Sequence, residues 1–252
     1  MGYHARHDAA TPLRLTELPR EPLASQTGGA VPGASIELAP VGSLAAGFTN
    51  RGTLDVHPEA RGLIFDVDGT LADTMPLHFQ AWRQVLSDAG VDYPLAMFHE
   101  LAGMPTRSIV PLVNRRFGVC LDPETTARRK DLLFAARLGE ITPVEPVAAL
   151  VRRCAGAVPM GVGTGGGRDI IRRTLQAIGL AGYFDVVVTA EDVALPKPAP
   201  DTWLLCAQRM GVPPRYCQVF EDGDLGLEAA RLAGMIATDI RPNLRQALPG
   251  AP

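Results

Sequence analysis

Two aspartates, Asp66 and Asp68, stand two apart where the apolar run Gly62-Leu63-Ile64-Phe65 ends and Gly69-Thr70 begins. In extended backbone, side chains at i and i+2 point the same way. Both carboxylates therefore aim into one crevice, where they repel each other, and a buried unpaired charge is costly. Either water reaches them or a cation lies between them. A second acidic pair, Glu221-Asp222, follows the run Gln218-Val219-Phe220. If the two runs are strands of one parallel sheet, the four acids share a rim. An all-oxygen donor set of this kind suits Mg²⁺ rather than zinc.

The chain also carries groups suited to holding an anion. Gly163-Thr164-Gly165-Gly166-Gly167 lies between a strand-like run and a helical one. Glycines there let backbone N–H groups turn toward an anion at a helix N-terminus, and Thr164 adds a hydroxyl. Leu195-Pro196-Lys197-Pro198-Ala199-Pro200-Asp201 is a Pro-fixed loop that presents Lys197 just before a helix. Of 24 basic residues 22 are Arg, and only Lys130 and Lys197 are Lys. A lysine is a compact point charge beside the wide guanidinium fork, so its retention at 197 points to a size-limited place. Each signal alone is weak. An Asp-x-Asp-Gly segment is often a turn, a Gly-rich loop a tight connection, and Glu-Asp a helix cap. Their conjunction, each at the end of a strand-like run, points to one site that gathers carboxylates, an ammonium and a cradle for an anion.

These groups need a sheet to hold them. Strands are expected at Gly62–Phe65, Met160–Gly163, Asp185–Thr189, Gln218–Phe220 and Ile236–Ile240. Helical spacing appears at Asp169–Ile178, Asp201–Met210 and Leu225–Ala233. Such alternation is the mark of a doubly wound parallel sheet in an α/β fold. About 90 residues between the first two strands carry instead helical segments at Pro76–Ala89, Leu95–Leu101, Thr106–Phe117, Pro123–Leu138 and Val144–Cys154. A crossover needs only a dozen or so, so an inserted helical cap subdomain is expected at the carboxyl edge of the sheet, where α/β proteins bind ligands. The expected division is residues 61–75 and 155–245 for the core and 76–154 for the cap. Residues 1–60, with six Pro, seven Gly and no helix or strand period, read as a disordered N-terminal extension.

Composition sets outer limits. The chain has 252 residues, 46% of them hydrophobic and 20% charged, with a net charge of −3. That range is ordinary for a folded domain and supplies no basic field for nucleic acid. No apolar run approaches the ~20 residues of a membrane span. The opening residues lack the apolar stretch of a signal peptide, and the four cysteines, Cys120, Cys154, Cys206 and Cys217, form no CxxC pair. A cytoplasmic setting is the expectation. Oligomeric state is not legible.

Taken together, the ordered motifs Asp66-Val67-Asp68-Gly69-Thr70, Thr164, Lys197-Pro-Ala-Pro-Asp201 and Glu221-Asp222 with Gly226 resemble those of the haloacid dehalogenase-like hydrolases. The resemblance runs over about residues 61–242 and is strongest to the β-phosphoglucomutase-like branch. It implies a Rossmannoid core and an aspartyl-phosphate mechanism, with Asp66 as nucleophile and Asp68 as general acid and base. It also implies Mg²⁺ on the Asp66 carboxylate, the Asp68 carbonyl and Asp222, with Glu221 behind them. Thr164, the amides from Gly165 onward, and Lys197 are implied as the phosphate site. An acid at Asp68 favours phosphoryl transfer over dehalogenation, because a halide leaves without a proton.

The cap is expected to choose a small phosphorylated metabolite, a sugar phosphate by this resemblance. His78 and Arg107 are the candidate contacts. Trp82 reads as cap core and Lys130 as part of a solvated helix face. No lysine is assigned to a cap substrate contact, Arg137 being the stand-in. The leading reading is a phosphatase. A phosphomutase of the same branch shares every motif, and a non-catalytic binding protein would be expected to lack one of them.

Overall fold

A computed structural model describes residues 54–246, with side chains to residue 244. The extension assigned to residues 1–60 lies mostly outside this range. Residues 54–60 do not behave as a tail. Leu54 and Ala60 are buried in the main apolar core. The Gln218 amide also ties this segment down, accepting from the His57 N–H at 2.8 Å and donating to the Asp55 carbonyl at 3.1 Å.

Five parallel strands form one sheet: β1 (Gly62–Phe65), β2 (Met160–Gly163), β3 (Val186–Val188), β4 (Cys217–Glu221) and β5 (Ile236–Asp239), in the order β3-β2-β1-β4-β5. The central strands are apolar on both faces because both are covered. Leu63 and Phe65 face a core shared with α5 (Glu145–Cys154) and α6 (Arg168–Ala177). Ile64 faces the opposite core, built with α7 (Asp201–Met210) and α8 (Asp224–Leu232). The chain steps from β1 outward to β3, then crosses back to β4 on the other side of β1. The crevice outside the ends of β1 and β4 is therefore the topological switch point, where such sheets bind ligands.

Between β1 and α5 lie α1 (Met75–Ser87), α2 (Leu95–Glu100), α3 (Thr106–Phe117) and α4 (Pro123–Ala135). The first three share an apolar cluster of their own, with Trp82, Tyr93, Phe98 and Val110 at its centre. Trp82 is core, as expected. Two connections join this unit to the sheet, and they run side by side. Asp73 donates its N–H to Thr142, Val144 donates to Leu71, and Ala72 pairs with Pro143. This paired linker corrects the expected boundary at residue 154. The buried row Val147, Leu150, Val151 and Cys154 places α5 against the sheet as the crossover to β2, and the insert closes near residue 141.

Candidate active site

The register of the sheet builds the site. Phe65 pairs with Phe220, and the Asp66 N–H donates to the Phe220 carbonyl at 3.0 Å, so Asp66 and Glu221-Asp222 leave adjacent strand ends. Gly163 pairs with Val188, and the Thr164 N–H donates to the Val188 carbonyl at 3.0 Å, which brings the Gly-rich loop to the same rim. The Pro-rich loop after β3 delivers Lys197 beneath them.

Lys197 is 1% exposed. Its ammonium donates to Asp66 Oδ1 at 2.6 Å and to Glu221 Oε2 at 2.8 Å, and it lies 4.1 Å from the centre of the Trp203 ring. Burial opposes its charge, but the two carboxylates outweigh burial and hold its pKa above that of an ordinary lysine. Asp66 is raised well above the usual carboxylate range, by burial first and by Glu221 second, with Lys197 opposing. Asp222 is pushed up to about 7, again by burial and then by Glu221. Within this cluster one ammonium faces three carboxylates, so the site is short of positive charge.

That shortfall is the test of whether a divalent cation fits. Asp66, Glu221 and Asp222 offer oxygens within 4.8 Å of one another. Glu221 is the poorest donor of the three. Its Oε2 takes the Lys197 ammonium, and its Oε1 already accepts the N–H groups of Asp222 and Gly223 at 3.0 and 2.9 Å. Asp222 uses Oδ1 for the Thr70 hydroxyl at 2.7 Å, and Asp66 uses Oδ1 for Lys197. Each keeps its second oxygen open. An extra cation on Asp66 and Asp222, with Glu221 behind, fits this donor set and matches hard-oxygen chemistry. Gly69 makes room for it: its φ of 91° favours glycine, and a Cβ there would collide with the Asp222 carboxylate.

Asp68 faces the other way, toward the helical insert. Its Oδ1 accepts from the Thr74 hydroxyl at 2.8 Å and lies 3.0 Å from His78 Nε2. Burial would raise this carboxyl, yet His78, Thr74 and Lys130 together bring it down to about 2. His78 Nδ1 is in turn 2.9 Å from the Lys130 ammonium, and the imidazole stacks on Phe134 with centroids 3.8 Å apart. An ammonium can only donate. Nδ1 is thus the acceptor, and Nε2 carries the proton that points at Asp68. Burial first, then the Lys130 charge, lowers the His78 pKa and keeps this neutral tautomer.

Lys130 overturns the expectation of a solvated helix face, because it is 4% exposed. It lies on the buried stripe Thr126, Lys130, Phe134 of α4, at i, i+4 and i+8. Helical period alone, applied to Phe134, would have found it. Arg107 is exposed and lines an outer cavity, while its neighbour Thr106 reaches the inner one. Arg137 pairs with Glu140 and Gln80 and does not line the inner cavity.

The inner cavity lies between sheet and insert and is lined by Asp66, Asp68, His78, Thr164, Gly165 and Lys130 among others. Thr164 is 1% exposed, and its hydroxyl accepts from the Gly166 N–H at 3.0 Å. Gly165 lies so close to the insert that a Cβ would collide with the Gly103 carbonyl. The loop Ala102–Met104 thus rests directly on the glycine cradle.

Comparison with known proteins agrees with this geometry. Residues 60–234 match the family model of the haloacid dehalogenase-like hydrolases. The chain is 46% identical over 180 residues to the Escherichia coli fructose-1-phosphate phosphatase YqaB, covering 71% of this chain and 96% of that one. It is 32% identical over 177 residues to a phosphorylated carbohydrates phosphatase of Thermotoga maritima, covering 69% and 81%. Among solved structures, CbbY of Rhodobacter sphaeroides in complex with phosphate superposes with a TM-score of 0.64 at 27% identity, over 71% of this chain and 84% of that one. A β-phosphoglucomutase from Clostridium difficile shares the fold, with a TM-score of 0.64 at 23% identity over the same shares. The family model over residues 60–234 and the 46% identity to a phosphatase over 180 residues show that the chain belongs to the haloacid dehalogenase-like hydrolases.

Proposed function

We propose that this protein is a Mg²⁺-dependent phosphatase of small sugar phosphates that works through an aspartyl-phosphate. The observation that carries the reading is the arrangement of Asp66. One of its oxygens is held by Lys197 at 2.6 Å, the other has no hydrogen-bond partner among the described residues, and the residue lines the cavity. A carboxylate cannot approach a phosphoryl dianion unless cations offset the repulsion. Lys197 supplies one positive charge. Mg²⁺, held by Asp66, Asp222 and the Asp68 carbonyl with Glu221 behind, would supply two more and draw charge from the phosphoryl oxygens.

The residues then divide the work. One Asp66 oxygen attacks phosphorus while the other stays with the cations, and the bond to the ester oxygen breaks. Thr164 and the amides from Gly165 onward hold the phosphoryl oxygens. Asp68 gives its proton to the departing oxygen, and later takes one from the water that attacks the aspartyl-phosphate. A phosphate dianion beside Asp68 raises its pKa, so substrate itself prepares the acid form. His78 and Thr74 hold that carboxyl in place, and Lys130 fixes the His78 tautomer. The insert, packed on Gly165 through Gly103, keeps bulk water from the intermediate. The likeness to two carbohydrate-phosphate phosphatases supports a sugar phosphate as substrate.

The test is phosphate release by the purified protein from a panel of sugar phosphates, in Mg²⁺ and in EDTA. Turnover of some members that stops in EDTA is the expected result. No release from any member, with transfer to a second hydroxyl in the presence of a sugar bisphosphate, would replace the phosphatase with the mutase.

A further inference from the structure

Asp131 is a carboxylate on α4 that the mechanism above does not use. It stands where the inner cavity adjoins the outer one, and with Thr106 it lines both. Its Oδ1 is met by the Thr106 hydroxyl and the Lys130 ammonium, each at 3.3 Å. Both contacts are long. Its Oδ2 has no partner among the described residues, and its side chain is 34% exposed.

The rest of that wall offers a substrate little else. The insert lines the inner cavity with Met75, Trp82, Phe98, Leu101, Met104 and Ile109. Its polar groups there are His78, Lys130, Thr106 and Asp131. His78 and Lys130 are engaged in holding Asp68, and the Lys130 charge is opposed by Asp131. Three arginines, Arg107, Arg128 and Arg173, line the outer cavity beside Asp131, and none of them lines the inner one. An ionised carboxylate only accepts hydrogen bonds. The wall facing the phosphoryl cradle is therefore built for a hydroxyl donor and against a second phosphate.

We propose that Asp131 is a specificity-determining residue. It accepts a hydroxyl of the substrate at the neck of the cavity, and so selects hydroxylated phosphate monoesters over bisphosphates. This rests on the phosphatase reading and narrows it. A substrate without hydroxyls gains nothing from Asp131, and a bisphosphate meets a like charge there. A hydrogen bond to a charged group is worth roughly a 10–100-fold change in affinity when desolvated.

The experiment compares the wild type with Asp131→Asn on a hexose monophosphate, the matching hexose bisphosphate and phenyl phosphate, all in Mg²⁺. In the variant, the ratio of kcat/KM for hexose monophosphate over phenyl phosphate is expected to fall about tenfold or more, mostly through KM. The ratio of bisphosphate over monophosphate is expected to rise. Unchanged ratios would overturn the proposal. So would an equal loss on all three substrates, which would mean that Asp131 acts only through Lys130. A wild type that cleaves none of the three would instead overturn the phosphatase reading itself, and this proposal with it.

Discussion

Replacing Lys130 with Met separates a positioning role from a structural one. The side chain is buried, its ammonium lies 2.9 Å from His78 Nδ1, and it sits 5.5 Å from the centre of the Phe134 ring. Methionine keeps the volume and the contact with Phe134. A volume-conserving swap costs less than about 1.5 kcal/mol, and here it also removes a charge that burial disfavours. The melting temperature should stay within a few degrees. What is lost is the donor that forces the His78 proton onto Nε2. The other tautomer places a lone pair 3.0 Å from the Asp68 carboxylate. Losing a hydrogen bond to a charged group costs about 1.5–3 kcal/mol, which is roughly 10–100-fold in rate if it is felt in the transition state. The assay is steady-state phosphate release with phenyl phosphate, so that contacts to sugar hydroxyls do not enter, beside a thermal melt. The expected result is a kcat drop of that size, a KM changed by less than about threefold, and an intact melt. A kcat within twofold of wild type in a folded variant would refute the role given to Lys130, and with it the inferred His78 tautomer.

Three further outcomes follow from the geometry. Asp222→Asn should raise the melting temperature in EDTA, because it removes one carboxylate from a cluster short of cations, and should abolish both the Mg²⁺-dependent rise expected of wild type and the activity. Gly69→Ala should cost at least about 1 kcal/mol in denaturant titrations and most of the activity, since it strains a left-handed residue and drives a methyl into Asp222. Asp192 accepts from the Thr189 N–H and hydroxyl and pairs with the exposed Arg209 and Arg168. Burial alone would raise its pKa, but these partners hold it below the usual carboxylate range. A depressed folded pKa stabilises above the unfolded value of about 4 and ceases to do so as pH falls below it. Asp192→Asn should therefore lose about 1 kcal/mol at pH 7, a gap that closes as urea melts are taken below pH 4.

The groups at the sheet's rim were legible because they are tied to short strands whose ends they follow. Asp66, Thr164 and Glu221-Asp222 each sit within a residue of a strand end, and Lys197 lies in the Pro-rich loop just ahead of α7, so local pattern placed them on one rim. The helical insert was legible as surplus length. Its boundary was not, because α5 has the same helical period as its neighbours and only tertiary packing shows that its apolar stripe faces β1 and β2. Lys130 was misread for a related reason. The run Arg128-Arg129-Lys130-Asp131 looks solvated when read by charge, while period places Lys130 on the stripe with Phe134. That just two lysines occur in the chain was the better signal, since both prove to be buried. The pairing of Lys130 with His78, 52 positions away, has no local signature. Residues 54–60 escaped notice because their anchors, Leu54 and Ala60 in the core and Gln218 on the backbone, are too few and too scattered to make a periodic pattern.

The central claim is that Asp66 takes the phosphoryl group. It is tested most directly by mixing the protein with a phosphate-labelled sugar phosphate that it turns over, in Mg²⁺, quenching in acid within one turnover, and mapping the label by peptide mass. The account expects a phosphoryl group on the peptide that contains Asp66, absent from Asp66→Asn and absent when EDTA precedes substrate. Phosphate released at full rate by Asp66→Asn, or label carried by a different residue, would contradict it.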